Sequence, residues 1–285
     1  MLEIRDRVTG LAVTNGWKVA ARLGHDSPVV RWTRSAYLAA LNWMASERGV
    51  NWSINGVNYR IDIRNPDVRA HHYELPVAAF LRKLVKPGFI CFDVGANVGL
   101  YVLQLCHWSG PSGRVVAFEP NPDARKVLER HVGMNRFQNR VRIIPAALGA
   151  TESHATFFAA GADGMSRLGK PNPAVAKESC ELSVPVMTLD GFVRTGHVVP
   201  DLVLIDVEGF ELEVLQGARE TIKARRGNVH FVVEMHPSLW TLANDVPNRM
   251  AAILKELKLR PRCLTGQSDP LAEYGLVYLE YNEQA

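Results

Sequence analysis

Apolar residues in this chain gather into short runs, FICFDV, RVVAFEP, VRIIPAAL, DLVLIDV and NVHFVVEM, that are hydrophobic on consecutive positions rather than alternate ones. Such runs predict strands buried on both faces. Between them lie amphipathic stretches such as PDARKVLERHVGMN and FELEVLQGARETIKARR, whose apolar positions recur at helical spacing. Strands alternating with helices predict an α/β fold, an open and mostly parallel sheet with helices on both sides.

Other stretches break this rhythm. Residues 1 to about 50 have helical spacing, and VNWSINGVNYRIDI places two β-rich runs around Asn55-Gly56, a strong hairpin signal. Residues 1–70 are therefore expected to form a helical and hairpin extension, and residues 71–285 the main domain. HHYELPVAAFLRKLV, residues 71–85, predicts a helix ending before the turn at Pro87-Gly88. Residues 151–189 hold two strand-like runs around the loop AGADGMSRLGKPNPA, which predicts an insertion on the sheet. The chain closes with a helix around MAAILKELKL and strands near PRCLTG and GLVYLEY, expected to form an antiparallel edge.

Composition narrows the class. With 285 residues, 47% hydrophobic and 22% charged, the chain can bury one main core and does not have the composition of a disordered protein. A net charge of +4 with no basic run gives no footprint for nucleic acid. The four cysteines show no CxxC spacing and are read as reduced, structural thiols. The opening MLEIRDRVTG does not resemble a secretory signal, and no predominantly apolar uncharged run reaches the roughly 20 residues that span a bilayer. A cytoplasmic protein without a transmembrane segment is the expectation.

Candidate chemistry centres on FDVGANVG, residues 92–99, between a predicted strand and the helix LYVLQLCHW. Ligands of open parallel sheets bind beyond the carboxyl ends of the strands. Gly95 permits a sharp turn and Gly99 a close approach to the helix start. The spacing is GxxxG rather than the GxGxxG of a dinucleotide site, which disfavours a nicotinamide oxidoreductase. Asp93 would repel a pyrophosphate but welcome a cofactor with ammonium and sulfonium charges. Glu119, at the tip of the next strand, is placed to accept hydrogen bonds from ribose hydroxyls. S-adenosylmethionine fits both acids.

FDVGANVGLY, VVAFEPNP, VPVMTLD, LIDVEGFELEVLQGA and VVEMHP, in this order, resemble the FkbM family of S-adenosylmethionine-dependent methyltransferases across roughly residues 73 to 237. The resemblance implies a class I methyltransferase fold, with a seven-stranded sheet whose last strand runs antiparallel. It also implies methyl transfer, most often to a hydroxyl of a sugar or natural product. Asp93, Gly95, Asn97 and Gly99 would form the cofactor loop, with Glu119 as ribose contact. Leu148 would neighbour the adenine, and Glu74 would cap the methionine end.

An alcohol needs help to attack a sulfonium methyl group, from a base or a metal. LIDVEG supplies Asp206 and Glu208, and VVEMH supplies Glu234 and His236, each pair sharing a strand face if the strand continues. His236, with a reference pKa near 6.5, is the first choice as base, with Asp206 near the transferring methyl. Asp206, Glu234 and His236 could instead hold Mg²⁺. Ser166 and Arg167 are read as solvated loop residues, or else as a grip on a polar acceptor. His71 and His72 are read as surface residues. The expected activity is O-methylation of a sugar, glycoconjugate or secondary metabolite. The rivals are N-methylation of an amine or amide and a non-catalytic nucleoside-binding protein.

Overall fold

Strand β3 (Ile90–Val94) shows how the main sheet forms, because its alternate residues enter two different cores. Phe92 and Val94 pack on one face with Phe118, Ile205 and Val233, and with Leu212, Leu215 and Met250 from the helices. Cys91 packs on the other with Val115, Leu204 and Val232, against Leu81, Val102 and Leu128. A strand sandwiched this way must be apolar at consecutive positions. The computed structural model describes residues 49–65, 68, 71–162, 164–169, 171, 176–177, 179–196, 198–240 and 245–283. The helical reading of residues 1 to about 50 therefore falls, through residue 48, outside the described residues.

Strands β1 (Val50–Ile54) and β2 (Val57–Ile61) form the hairpin around Asn55-Gly56. Helix α1 (Leu75–Leu84) begins later than the predicted span, because Glu74 at its N-cap has φ 43°, outside the right-handed helical region. Then follow β3, α2 (Leu100–Trp108), β4 (Arg114–Phe118), α3 (Pro122–Met134) and β5 (Val141–Ile144). β6 (Ala147–Leu148), β7 (Ser153–Ala159), β8 (Arg167–Leu168) and β9 (Cys180–Met187) precede α4 (Leu189–Gly196) and β10 (Leu202–Ile205). The chain continues through α5 (Glu211–Gln216), α6 (Arg219–Arg225), β11 (His230–Met235), α7 (Pro237–Trp240) and α8 (Val246–Glu256), and ends in β12 (Leu259–Cys263) and β13 (Gly275–Tyr281).

The seven-stranded sheet has the order β12-β13-β11-β10-β3-β4-β5. β5, β4, β3, β10 and β11 run parallel, and β13 is antiparallel to both its neighbours. The last strand is thus antiparallel but not at the edge: it inserts between β11 and β12. Burial explains the placement. β13 buries Leu276, Val277 and Leu279, whereas β12 alternates exposed positions and carries Pro261, whose missing N–H suits an edge strand.

Two predicted elements are divided. VRIIPAAL splits at Pro145, which lacks a ladder donor, so β5 stays in the main sheet while β6 joins a second sheet of order β6-β9-β7-β8. The inserted segment is therefore a sheet in its own right, recruiting β6 from the main domain. FELEVLQGARETIKARR breaks between α5 and α6 at Gly217, where a Cβ would stand 2.0 Å from the Gly149 carbonyl oxygen. The four cysteines are unpaired. Among the described residues no helix is long and apolar enough to cross a membrane.

Candidate active site

Strand register builds the site. Val94 pairs with Phe118 on one side and Ile205 on the other, and Ile205 pairs with Val233. The next row therefore holds Gly95, Glu119, Asp206 and Glu234 across four neighbouring strand ends. This row lies at the point where the connectivity reverses, between β3 and β10, where open α/β sheets bind ligands.

The loop after β3 is tightly fixed. The amides of Gly95 and Ala96 donate to the Phe118 carbonyl at 3.0 and 3.1 Å. Gly95 has φ +86°, and a Cβ there would stand 1.8 Å from the Asp206 carbonyl oxygen, so only glycine lets β10 come this close. Gly99, at φ +87°, would set a Cβ 2.3 Å from Leu128 Cδ1, a side-chain rather than a backbone contact. Asn97 donates its backbone N–H to Glu119 Oε2 at 2.6 Å, and Asn121 donates its own to Oε1 at 2.7 Å. These bonds aim the Glu119 carboxylate along the cleft while each oxygen keeps a lone pair for a further donor.

Burial sets the protonation of this half. Asp93 is 2% exposed and its Oδ2 has no hydrogen-bond partner. Burial, reinforced by the charges of Glu119 and Glu74, pushes its pKa up to about 7. Burial also lifts Glu119 to about 7, against the lowering pull of the two amides and Arg125. Glu74 accepts the Tyr101 hydroxyl at 2.5 Å, and its pKa is raised by burial, with that bond opposing. Asn55, at the hairpin tip, exchanges two hydrogen bonds with the Tyr73 backbone and thereby pins the residue beside Glu74.

Two adjoining cavities share Gly95, Asn97 and Asp206. The smaller, about 430 Å³, is lined by Tyr73, Asp93 and the loop through Tyr101. The unpartnered Asp93 Oδ2 and Asn97 Oδ1 are both acceptors there, suited to an ammonium group. The larger, about 610 Å³ including its open mouth, runs from Glu119 past Phe118, Leu148 and Phe157 to Asp206 and Glu208. The apolar side chains of this wall suit the flat face of a nucleobase, and Glu119 offers acceptors to ribose hydroxyls. The geometry therefore suits S-adenosylmethionine at both ends.

The second cluster lies beyond β10 and β11. His236 Nε2 is 4.0 Å from Asp206 Oδ1 and 3.7 Å from Glu208 Oε1. Glu208 does not get there by strand alternation: β10 ends at Ile205, and Glu208, at φ +50°, reaches inward from a turn. Glu234 accepts the hydroxyl of Tyr274. Asp206, Glu234 and His236 each offer one ligand atom, all within 4.8 Å of one another, so the set could hold a metal ion.

Glu211 organises this cluster and is not evident from the sequence. Fully buried in the first turn of α5, it accepts the Trp240 indole N–H at 2.6 Å and the Gly209 amide at 2.8 Å, and it pairs with His236 Nδ1 at 2.7 Å. The one trace in the sequence is the spacing of His236 and Trp240, four residues apart in HPSLW. Burial lowers the His236 pKa, but the bond and charge of Glu211, with Glu208 and Glu234, outweigh it and carry the pKa up to about 9. The expected near-neutral imidazole is thus corrected to one that is cationic at pH 7 in the free protein. Asp206 is pushed well above the usual carboxylate range by its withdrawal from water and by Glu234 and Glu208.

The remaining candidates separate. Arg167 is buried and lines the larger cavity rather than standing in solvent. The Ser166 hydroxyl accepts the Ala160 amide at 3.0 Å and so serves the loop. His71 is exposed and stacks on Trp52 at 4.1 Å, away from the cleft.

Comparison with known proteins agrees with the geometry. The family described as the methyltransferase FkbM domain matches residues 93–260. The chain is similar to the hexuronic acid methyltransferase AglP of Haloferax volcanii, 28% identical over 235 residues that cover 76% of this chain and 87% of that protein. It is also similar to the 31-O-demethyl-FK506 methyltransferase FkbM of Streptomyces tacrolimicus, 27% identical over 213 residues, 66% of this chain and 77% of that one. A solved methyltransferase FkbM from Methylobacillus flagellatus aligns with a TM-score of 0.44 and 17% identity over 70% of this chain, which spans 50% of that structure's length.

Proposed function

The chain belongs to the methyltransferase FkbM domain family and is an S-adenosylmethionine-dependent methyltransferase, and from that premise we propose that it methylates a hydroxyl of a sugar, glycoconjugate or secondary metabolite. The observation that carries the hydroxyl reading is the buried Glu211–His236 pair, 2.7 Å apart, with His236 Nε2 4.0 Å from Asp206. Alcohols require a base, and amines far less so.

The bound cofactor supplies an electrophilic methyl group. Asp93 and Asn97 would hold the methionine end, with Glu74 capping it from behind Tyr101, Glu119 would hold the ribose, and Leu148 would neighbour the adenine. Once the ring is neutral, Glu211 fixes it by its Nδ1–H, which leaves Nε2 facing Asp206 and Glu208 to take the acceptor's proton. Asp206, beside Gly95, lines both cavities and would border the methyl group and the incoming hydroxyl. Incubation with methyl-labelled S-adenosylmethionine and matched panels of polyols and amines tests this reading. Transfer to hydroxyls that collapses in His236→Ala is expected, whereas transfer to amines that survives the substitution overturns it.

Protonation predicts a pH dependence of cofactor binding. Asp93 and Glu119 titrate near 7 in the free protein, and a cationic cofactor favours their ionised forms. Affinity for S-adenosylmethionine therefore rises from about pH 6 to about pH 8, by up to roughly tenfold per pH unit per group below its pKa, and then levels. Titration calorimetry across this range checks the slope, which Asp93→Asn should reduce.

A second reading is a divalent ion such as Mg²⁺ at Asp206, Glu234 and His236, favoured by the 4.8 Å grouping of their ligand atoms. It would orient the acceptor and lower its pKa. Dialysis against EDTA separates the two. The base reading expects unchanged turnover, and a loss restored by Mg²⁺ would establish the ion.

A further inference from the structure

Arg167 opens β8 in the inserted sheet, with a side chain only 4% exposed on the wall of the larger cavity. Its Nε and Nη1 have no hydrogen-bond partner. A guanidinium removed from water with unpaired N–H groups is unfavourable unless a ligand completes it. Glu211 cannot do so, since its oxygens already meet His236, Trp240 and the Gly209 amide.

Its position points to the acceptor. Nη2 lies over Gly209, where a Cβ would stand 3.1 Å from it, so the guanidinium is next to Glu208 at the reacting end of the cavity. Arg167 does not line the smaller cavity that holds Asp93 and the glycine loop, where the methionine end of the cofactor is placed. The fixed fork of a guanidinium matches a carboxylate through two parallel hydrogen bonds.

We propose that Arg167 is the anion-recognition residue of the acceptor site and selects acceptors that carry a carboxylate beside the hydroxyl to be methylated. This rests on the methyltransferase reading above.

The test uses the full chain saturated with S-adenosylhomocysteine and titrated with two matched pairs, D-glucuronate with D-glucose and D-galacturonate with D-galactose. Saturation-transfer NMR reports binding, and calorimetry reports affinity for S-adenosylhomocysteine. The wild type should prefer at least one uronate over its neutral partner by about tenfold or more. Arg167→Gln should erase that preference and Arg167→Lys keep part of it, with both variants still saturable by S-adenosylhomocysteine. Equal response to charged and neutral sugars, or none to either, in a wild type that binds S-adenosylhomocysteine overturns the proposal alone. A large loss of S-adenosylhomocysteine affinity in both variants overturns it too, by assigning Arg167 to the cofactor's own carboxylate. Failure of the wild type to bind S-adenosylhomocysteine would sink the cofactor reading and this proposal with it.

Discussion

Replacing His236 with alanine is expected to lower kcat by about two to four orders of magnitude while leaving S-adenosylmethionine affinity nearly unchanged. The imidazole is 4.0 and 3.7 Å from Asp206 and Glu208 and lines neither cavity. Its pKa of about 9 gives the effect a signature. A base must be neutral to accept a proton, so kcat/KM should climb with pH and level off above about 9. Glu211→Gln removes the anion that most raises this pKa. The limb should then move toward lower pH, while kcat falls because the ring is less firmly oriented. A purely structural role for Glu211 would lower activity at every pH alike without moving the limb. His236 also contributes to stability through this shift. Because its folded pKa lies above the unfolded value, that contribution is complete below about pH 6.5 and is lost as pH rises through about 9.

Gly95→Ala should be the most damaging single substitution in the loop. An added Cβ would lie 1.8 Å from the Asp206 carbonyl oxygen, and the residue holds φ +86°. The backbone conformation alone costs about 1 kcal/mol for a residue with a Cβ. The contact forces the loop or the end of β10 to move, for a total of about 2–4 kcal/mol. In a chain of this length that is a fall in melting temperature of about 5–12 °C. Cofactor affinity and turnover should fall together, since Asp206 is displaced with its own carbonyl. Gly56→Ala is the matched control: φ is +82° but nothing lies within 4 Å of the added atom. A melt in which the two variants lose equal stability would show that conformational strain, not the contact with β10, makes Gly95 necessary.

The parts of this molecule that were legible in the sequence are those fixed by burial along a single segment. Strands sandwiched between two cores must be apolar throughout, so FICFDV and NVHFVVEM announce themselves. The turn after β3 needs residues free of a Cβ, so Gly95 and Gly99 do the same. Asp93, Glu119, Asp206 and Glu234 were found because strand ends follow directly from strands.

What stayed hidden depends on which segments become neighbours. The hydrophobic pattern of GLVYLEY says that β13 is a strand, but not that it slips between β11 and β12. Tyr274 and Glu234 meet across 40 residues of sequence, and Glu211 and His236 across 25. Periodicity carries no record of such encounters. Glu208 was expected by strand alternation and arrives by a left-handed turn instead. The reference pKa of His236 was misleading for the same reason, since the carboxylates that raise it come from other elements.

The cleft between β3, β4 and β10 is proposed to bind S-adenosylmethionine through Asp93 and Glu119. Isothermal titration of the wild type, Asp93→Ala and Glu119→Ala with S-adenosylmethionine and with NAD measures this directly. The predicted result is binding of the methyl donor alone, weakened about tenfold or more by either substitution. Binding of NAD, or methyl-donor binding that neither substitution disturbs, would contradict the account.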